Sequence, residues 1–290
     1  MTVKPIIDLQ LLRRRQKRAQ TANVQGADFL LKYIAEEMDE RLSLIEREFE
    51  NPIQLFGYNK AAPNQIVNRG QAREFSFYNS VDQTAETLDA EALKFTDASY
   101  DLILSPASLH LTNDTPGLFA QSHKALKEDG LFMASVLGAG TLQELREALL
   151  TAESELYGGA SARVIPFADI RDYGGLLQRA GFALPVIDSD TLTVRYDNAT
   201  VLMKDLRAMG MTNPLTDRSK KPVSKAFFNR VNEIYAERFS DPDGRIRASF
   251  TIIYLAGWKP HQSQQKPLKP GSAKTRLSDA LNVDEIKLKN

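Results

Sequence analysis

Apolar positions recur at spacings of three and four between Asp28 and Phe49, where Leu30, Ile34, Met38, Leu42, Ile45 and Phe49 fall on one stripe. That period predicts a long amphipathic helix that buries one face. The period then shortens. Glu74 to Asn79 reads as a strand, and Leu88 to Asp114 reads as strand, turn, strand and loop. Within it, Asp89 closes a first apolar piece and Thr96 to Ser99 is a polar turn. Tyr100-Asp101-Leu102-Ile103-Leu104 has the short apolar run of a buried parallel strand. Ser105-Pro106-Ala107-Ser108 takes the chain out of the sheet at its carboxyl edge, where open α/β sheets bind ligands.

The alternation continues in the same style. A helix is expected from Pro116 to Leu126, then a strand from Leu131 to Leu137 after a turn at Gly130. Thr141-Leu142-Gln143-Glu144 has the spacing of a capping box and predicts a helix to about Leu156. Asp169 to Ala180 is another helix, stopped by Gly181. Phe182 to Tyr196 alternates as a strand. Asp197 to Gly210 and Ser224 to Phe239 are helical, the second with Phe227, Val231 and Ile234 as its stripe. The interval 197–245 reads as a helical insertion over the sheet edge. Phe250 to Trp258 is a final strand, antiparallel in such a fold. The expected organisation is a basic arm over 1–24, an α/β domain over 25–260 and an extended tail over 261–290.

Composition narrows the function. There are 37 acidic and 37 basic residues, which argues against broad electrostatic capture of nucleic acid, since that needs a basic face. The arm, with Arg13-Arg14-Arg15-Gln16-Lys17-Arg18, suits an acidic partner or a peripheral contact with an anionic membrane. Cysteine is absent, which excludes disulfides, thiolate metal sites and a cysteine nucleophile. No run of about 18 apolar residues could form a transmembrane helix.

The segment DAEALKF (89–95) followed by SYDLIL (99–104) resembles the adenine-binding stretch of class I S-adenosylmethionine methyltransferases. Further blocks extend the resemblance: SLHLTND (108–114), LGAGTLQELR (137–146), PFADIRDYGGLLQRAGF (166–182), LTVRY (192–196), DLRAMG (205–210) and GWKPHQSQQKP (257–267). Together they resemble the respiratory complex I assembly factor 5 family and its bacterial relatives, over roughly 28–275. A more distant likeness is to malonyl-carrier-protein methyltransferases. The implied fold is Rossmann-like, with a seven-stranded sheet, helices on both faces and a helical insertion. The implied function is S-adenosylmethionine-dependent modification of a protein substrate, such as a complex I subunit, in support of complex I assembly. Arginine hydroxylation is the activity linked to the mitochondrial members. The tail pattern implies a bacterial, cytoplasmic member near the inner membrane.

The resemblance also assigns residues. Asp89 would accept from the adenine amino group, and the Ala90 N–H would reach a ring nitrogen. Asn79 stands where an acid holds the ribose, and Ser105 ends the central strand. The usual loop is acid-x-Gly-x-Gly-x-Gly; here Gln54 replaces the acid and only Gly57 remains, beside Phe56, Tyr58 and Lys60. A second reading follows from that departure: a scaffold that has lost the cofactor and acts as an assembly or binding factor.

The residues themselves show little catalytic chemistry. His110, His123 and His261 are far apart and lack the His-x-Asp/Glu half of an iron triad, so no metal site is expected. His110, Asn113 and Asp114, just past the central strand, are the candidates for positioning a substrate or for general-base work. Equally, Asn113 and Asp114 could cap the next helix. Arg146, Arg163, Arg171 and Arg195 are expected to sit in solvated salt bridges.

Overall fold

The structure, a computed structural model, describes residues 4–56, 60–78, 91–264 and 272. Two units separate, Met1–Pro260 and His261–Asn290. The first carries, in chain order, α1 (Leu9–Ala22), α2 (Phe29–Ser43), β1 (Pro52–Leu55), α3 (Ala61–Asn68), β2 (Ser76–Tyr78) and β3 (Tyr100–Ser105). A 3-10 turn, Leu109–Leu111, precedes α4 (Thr115–Ala125) and β4 (Leu126–Leu137). Then come α5 (Gln143–Tyr157), α6 (Ile170–Arg179), β5 (Ala183–Tyr196), α7 (Ala199–Ala208), α8 (Lys225–Phe239) and β6 (Ile246–Trp258).

Six strands form one sheet in the order β2-β1-β3-β4-β6-β5. β2, β1, β3 and β4 run parallel, and β6 is antiparallel to both neighbours. Seven strands were expected and six are found among the described residues. The apolar piece that closes at Asp89 lies outside them.

Strand alternation splits the core into two layers. Leu102, Leu104, Leu131 and Met133 join α2, α3, α5, α7 and α8 on one face. Ile103, Phe132, Ala134 and Val136 join α4 and α6 on the other. Because both faces are covered, β1 and β3 read as nearly unbroken apolar runs. Each large side chain buried completely contributes roughly 1.5–3 kcal/mol relative to exposure. Gly257 on β6 is required by close approach: a Cβ there would stand 2.9 Å from the Cβ of Phe182, whose ring stacks on Phe132.

Three local expectations change. α2 ends at Ser43 rather than Phe49, because the chain must turn toward β1; Leu44 is exposed and Phe49 bridges Ala72 instead. Asp101, buried on β3, fixes that approach by accepting from the backbone N–H groups of Glu50 at 2.9 Å and Asn51 at 3.0 Å. The Thr141–Glu144 capping box does not form. The Thr141 hydroxyl bonds Thr251 on β6, and the Glu144 carboxylate accepts from Ser249, so tertiary bonds to β6 win over the local cap. α6, by contrast, has a true capping box between Asp169 and Asp172.

The third change concerns the basic arm. Residues 9–22 are helix α1, capped by Asp8, with Leu12 and Ala19 buried on one face and Arg14, Lys17 and Arg18 exposed on the other. The preceding residues are stitched to the loop between α7 and α8. Ile7 bridges Leu215, the Asp8 N–H donates to Pro214 O at 2.9 Å, and Arg218 pairs with Asp8 at 3.3 Å. Among the described residues no helix is long and apolar enough to cross a membrane.

Replacing Asp101 with Ala removes the acceptor of the Glu50 and Asn51 N–H groups, which belong to exposed residues at the approach to β1. The expected cost is about 1–2 kcal/mol in urea unfolding. An unchanged midpoint would mean that strand packing alone positions β1.

Candidate functional site

The order of strands reverses between β1 and β3: the chain leaves β1 toward β2 on one side, and β3 toward β4 on the other. Such a switch point opens a crevice at the carboxyl ends of the two strands. Residues there have special backbone geometry. Phe56, directly after β1, is left-handed with φ 56°, and its N–H donates to Tyr78 O at 2.8 Å. Gln54 is buried, and its Nε2 donates to Phe56 O at 3.3 Å. After β3, Ala107 is left-handed with φ 45°, and its N–H donates to the Ser135 hydroxyl at 2.9 Å. Small residues Ala62, Ala107 and Ser108 line a crevice of about 40 Å³ that is closed on the far side by Gln16 of α1 and by Met209 to Met211.

Of the expected cofactor contacts, Ser105 lies in this region. It is fully buried, and its hydroxyl is 2.7 Å from that of Ser108. Gly57, Asn79, Asp89 and Ala90 lie outside the described residues.

The three candidates past β3 have different surroundings. Asp114 caps α4, accepting from Gly117 N–H at 2.9 Å. Asn113 holds the N-terminal segment: its Oδ1 accepts from Ile7 N–H at 2.7 Å and its Nδ2 donates to Ile7 O at 3.2 Å. Both side chains therefore have structural work. His110 differs. Its Nδ1 accepts from Leu137 N–H at the carboxyl end of β4, at 3.3 Å. That bond assigns the proton of the neutral ring to Nε2. Burial pushes the imidazole down to about 3 from an ordinary 6.5, so it is neutral across the physiological range.

His110 forms part of the wall of a second and larger space, a chamber of about 260 Å³ beneath α5, α7 and α8. Its walls are Leu12 of α1, Leu142, Leu145 and Leu149 around α5, Ile165, Phe167, Met203 and Leu206, and Phe227, Phe228 and Phe250. Leu111, Gly210 and Met211 belong to the walls of both chamber and crevice. Gly210 is left-handed, φ 74°, and so close to α1 that a Cβ would stand 3.2 Å from the Cα of Gln16.

Arg163 reaches the chamber wall but is already engaged. It pairs with Glu153 at 2.7 Å and lies over the Phe227 ring, 4.8 Å from its centroid. Burial pushes the Glu153 carboxyl up, and hydrogen bonds from Arg163 and Ser161 outweigh that, leaving it below the usual range. The pair is thus largely enclosed rather than the solvated bridge expected. The chamber was missed in the sequence because its walls come from eight separate segments of ordinary core residues. The one available signal was His110 among apolar neighbours. Among the described residues no three His, Asp or Glu side chains converge as a metal site.

Comparison with known proteins gives the lineage. A family described as "Methyltransferase domain" matches residues 13–185. The "Arginine-hydroxylase NDUFAF5, mitochondrial" of Rattus norvegicus is 34% identical over 288 residues, covering 94% of this chain and 83% of that protein. The protein of the same name from Dictyostelium discoideum is 45% identical over 184 residues, 63% of this chain but 42% of that protein. The match to the Dictyostelium protein therefore spans less than half of its length. The "Malonyl-[acyl-carrier protein] O-methyltransferase" of Gallionella capsiferriformans is 35% identical over 172 residues, 59% of this chain and 57% of that protein. The cytoplasmic setting expected from the tail pattern is overturned by the relatives named arginine-hydroxylase, which are mitochondrial.

The state of His110 is testable. Its folded pKa lies below the unfolded one, so the unfolded chain takes up the proton first as pH falls. Its contribution to stability is complete above pH 6.5 and is lost progressively toward about 3. Urea midpoints at pH 7, 5.5 and 4.5 should therefore fall less for His110→Phe than for the unaltered protein. Equal losses would mean that the ring is not held neutral by its surroundings.

Proposed function

Because this chain belongs to the methyltransferase-domain family, and within it to the family of NDUFAF5, we propose that it is a methyltransferase-fold enzyme that uses S-adenosylmethionine, modifies a protein substrate and supports respiratory complex I assembly. The observation that carries the reading is the pairing of two spaces. A crevice at the switch point meets an apolar chamber through the shared wall of Leu111, Gly210 and Met211. That is the layout a group transfer needs: one compartment for the donor, one for the acceptor, and a thin partition where they meet.

The residues present suit the donor in two respects. The left-handed Phe56 supplies the sharp exit from β1 that a nucleotide loop requires. Small side chains at Ala62, Ala107 and Ser108 keep the crevice open beside the chamber, and its about 40 Å³ would have to widen to admit the sulfonium end. Asp89 and the Ala90 N–H would hold the adenine, Asn79 the ribose, and Gly57 and Ser105 would let the backbone approach. When bound, the cofactor supplies an electrophilic methyl group. The chain's own part is to align donor and acceptor and to keep water out, which the apolar walls do. His110, neutral at physiological pH, adds a hydrogen-bond donor without adding charge.

A second reading, a scaffold without cofactor, is favoured by Gln54 and Phe56 in place of the usual acid and small residue. Arginine hydroxylation, the activity in the relatives' name, is a third. A melting experiment separates the first two. S-adenosylmethionine at ~100 times its dissociation constant should raise the melting temperature by about 5–10 °C. Asp89→Ala should remove that shift. No shift at millimolar concentration would leave the scaffold. Mass spectrometry of complex I subunits, with and without the gene, then reads the chemistry: a gain of a methyl supports transfer, and a gain of one oxygen on arginine supports the relatives' activity.

A further inference from the structure

We propose that the outer face of α1, with Arg218 and the two lysines just after it, is the surface on which an acidic segment of the protein substrate docks beside the reaction site. The proposal rests on the reading of this chain as an enzyme with a protein substrate, and names the chemistry by which that substrate is held.

Charge distribution comes first. Acidic and basic residues balance over the whole chain, 37 of each, yet residues 9–22 hold five Arg or Lys and no Asp or Glu. The fold gathers more on the same side. Burial, and then the like charges of Arg218, Arg18 and Arg14, push the Arg15 guanidinium below its ordinary value, so these four groups lie near one another. Asp8 is the carboxylate in their midst, and it pairs with Arg218 at 3.3 Å. Lys220 and Lys221, both exposed, follow Arg218 in the loop. Among the described residues Arg14, Lys17 and Arg18 are exposed and make no ion pair. Elsewhere the pattern is the opposite: Arg41, Arg69, Arg195, Arg230 and Arg238 each pair with a carboxylate. Uncompensated like charge destabilises a compact chain. A local excess that folding leaves unpaired therefore calls for acids supplied from outside.

Place comes second. Leu12 of α1 lines the chamber and Gln16 lines the crevice. Arg15 donates to the backbone oxygen of Asn213, another residue of the chamber wall. A segment held on the outer side of this helix is thus one helix diameter, ~10–12 Å, from both spaces.

The kind of partner comes third. Guanidinium groups suit carboxylates, which they can bind through two parallel hydrogen bonds. A bilayer is the competing anionic surface. A helix that lies on a bilayer buries its apolar face there, whereas Leu12 and Ala19, the apolar face of α1, are turned into the protein. Two exposed apolar residues, Ile6 and Val24, stand beyond the ends of the helix, and vesicles therefore form the competing arm of the test. The surface selects the surroundings of the modified residue and not its type. An arginine, the residue in the relatives' name, would be repelled here alone and is brought in by acidic neighbours.

The probes are a labelled Glu-Ala repeat peptide, the matching Lys-Ala peptide, and phosphatidylcholine vesicles with and without phosphatidylglycerol. Fluorescence anisotropy on the full chain should show saturable binding of the Glu-Ala peptide and none of the Lys-Ala peptide. That binding should weaken as salt rises from about 20 to about 150 mM. Arg14→Glu combined with Arg18→Glu should weaken it about tenfold without lowering the melting temperature, since no ion pair is lost. Arg146→Glu combined with Arg171→Glu makes the same change of charge at exposed positions on α5 and α6, and should leave binding as it was. Three results would overturn the proposal. They are no binding of the Glu-Ala peptide, an equal loss in both double variants, and capture by phosphatidylglycerol vesicles at ~150 mM salt that depends on Arg14 and Arg18. The melting shift with S-adenosylmethionine, recorded on the same samples, reports the donor side independently. Its absence beside intact peptide binding would sink the transferase reading and leave the docking face standing.

Discussion

The structure depends on how β3 is held. It is flanked by β1 and β4, with Leu102 and Leu104 facing one layer and Ile103 the other. Its first buried polar group, Asp101, reaches across to the backbone just before β1. One carboxylate thus sets where β1 begins, and the four buried residues of β1 then deliver Phe56 to the carboxyl edge. The crevice exists because the chain diverges on the two sides of that pair. Loosening the tie would shift both walls together.

Much of this was legible from residues alone. The short apolar run from Tyr100 to Leu104 announced a strand covered on both faces, and the stripes of α2 and α8 announced their buried sides. The exceptions have a common physical origin. Thr141 and Glu144 had the spacing of a cap, yet their oxygens satisfy β6, whose backbone is more costly to leave unpaired. Residues 9–22 read as a basic arm because five of them are Arg or Lys, yet Leu12 and Ala19 are buried on the face that docks. The chamber was invisible because concavity is not a property of sequence neighbours. The candidates His110, Asn113 and Asp114 are adjacent in sequence but diverge in role, since the chain turns between them: one caps a helix, one grips the N-terminal segment and one faces the chamber.

The two compartments differ in what they can tolerate. The crevice is small and mixed, with Gln16 and Ser108 among apolar neighbours such as Leu31, Pro106 and Met209. The chamber is apolar, and Arg163 at its wall is neutralised by Glu153 and screened by Phe227. Leu111 and Met211 stand at the boundary. Methionine's unbranched, polarisable side chain conforms to whatever lies on either side, so the partition can be tight without being rigid.

The N-terminal segment contributes Leu12 to the chamber wall and Gln16 to the crevice, yet its anchors are Asn113, Pro214 and Leu215. During synthesis this wall leaves the ribosome before its attachment points. Residues 4–22 must therefore remain undocked until the chain has grown past Arg218, exposing an apolar stripe throughout the time the sheet's parallel strands assemble. The basic residues along the rest of that helix keep the waiting segment soluble, which gives their abundance a purpose in the nascent chain as well as in the finished protein.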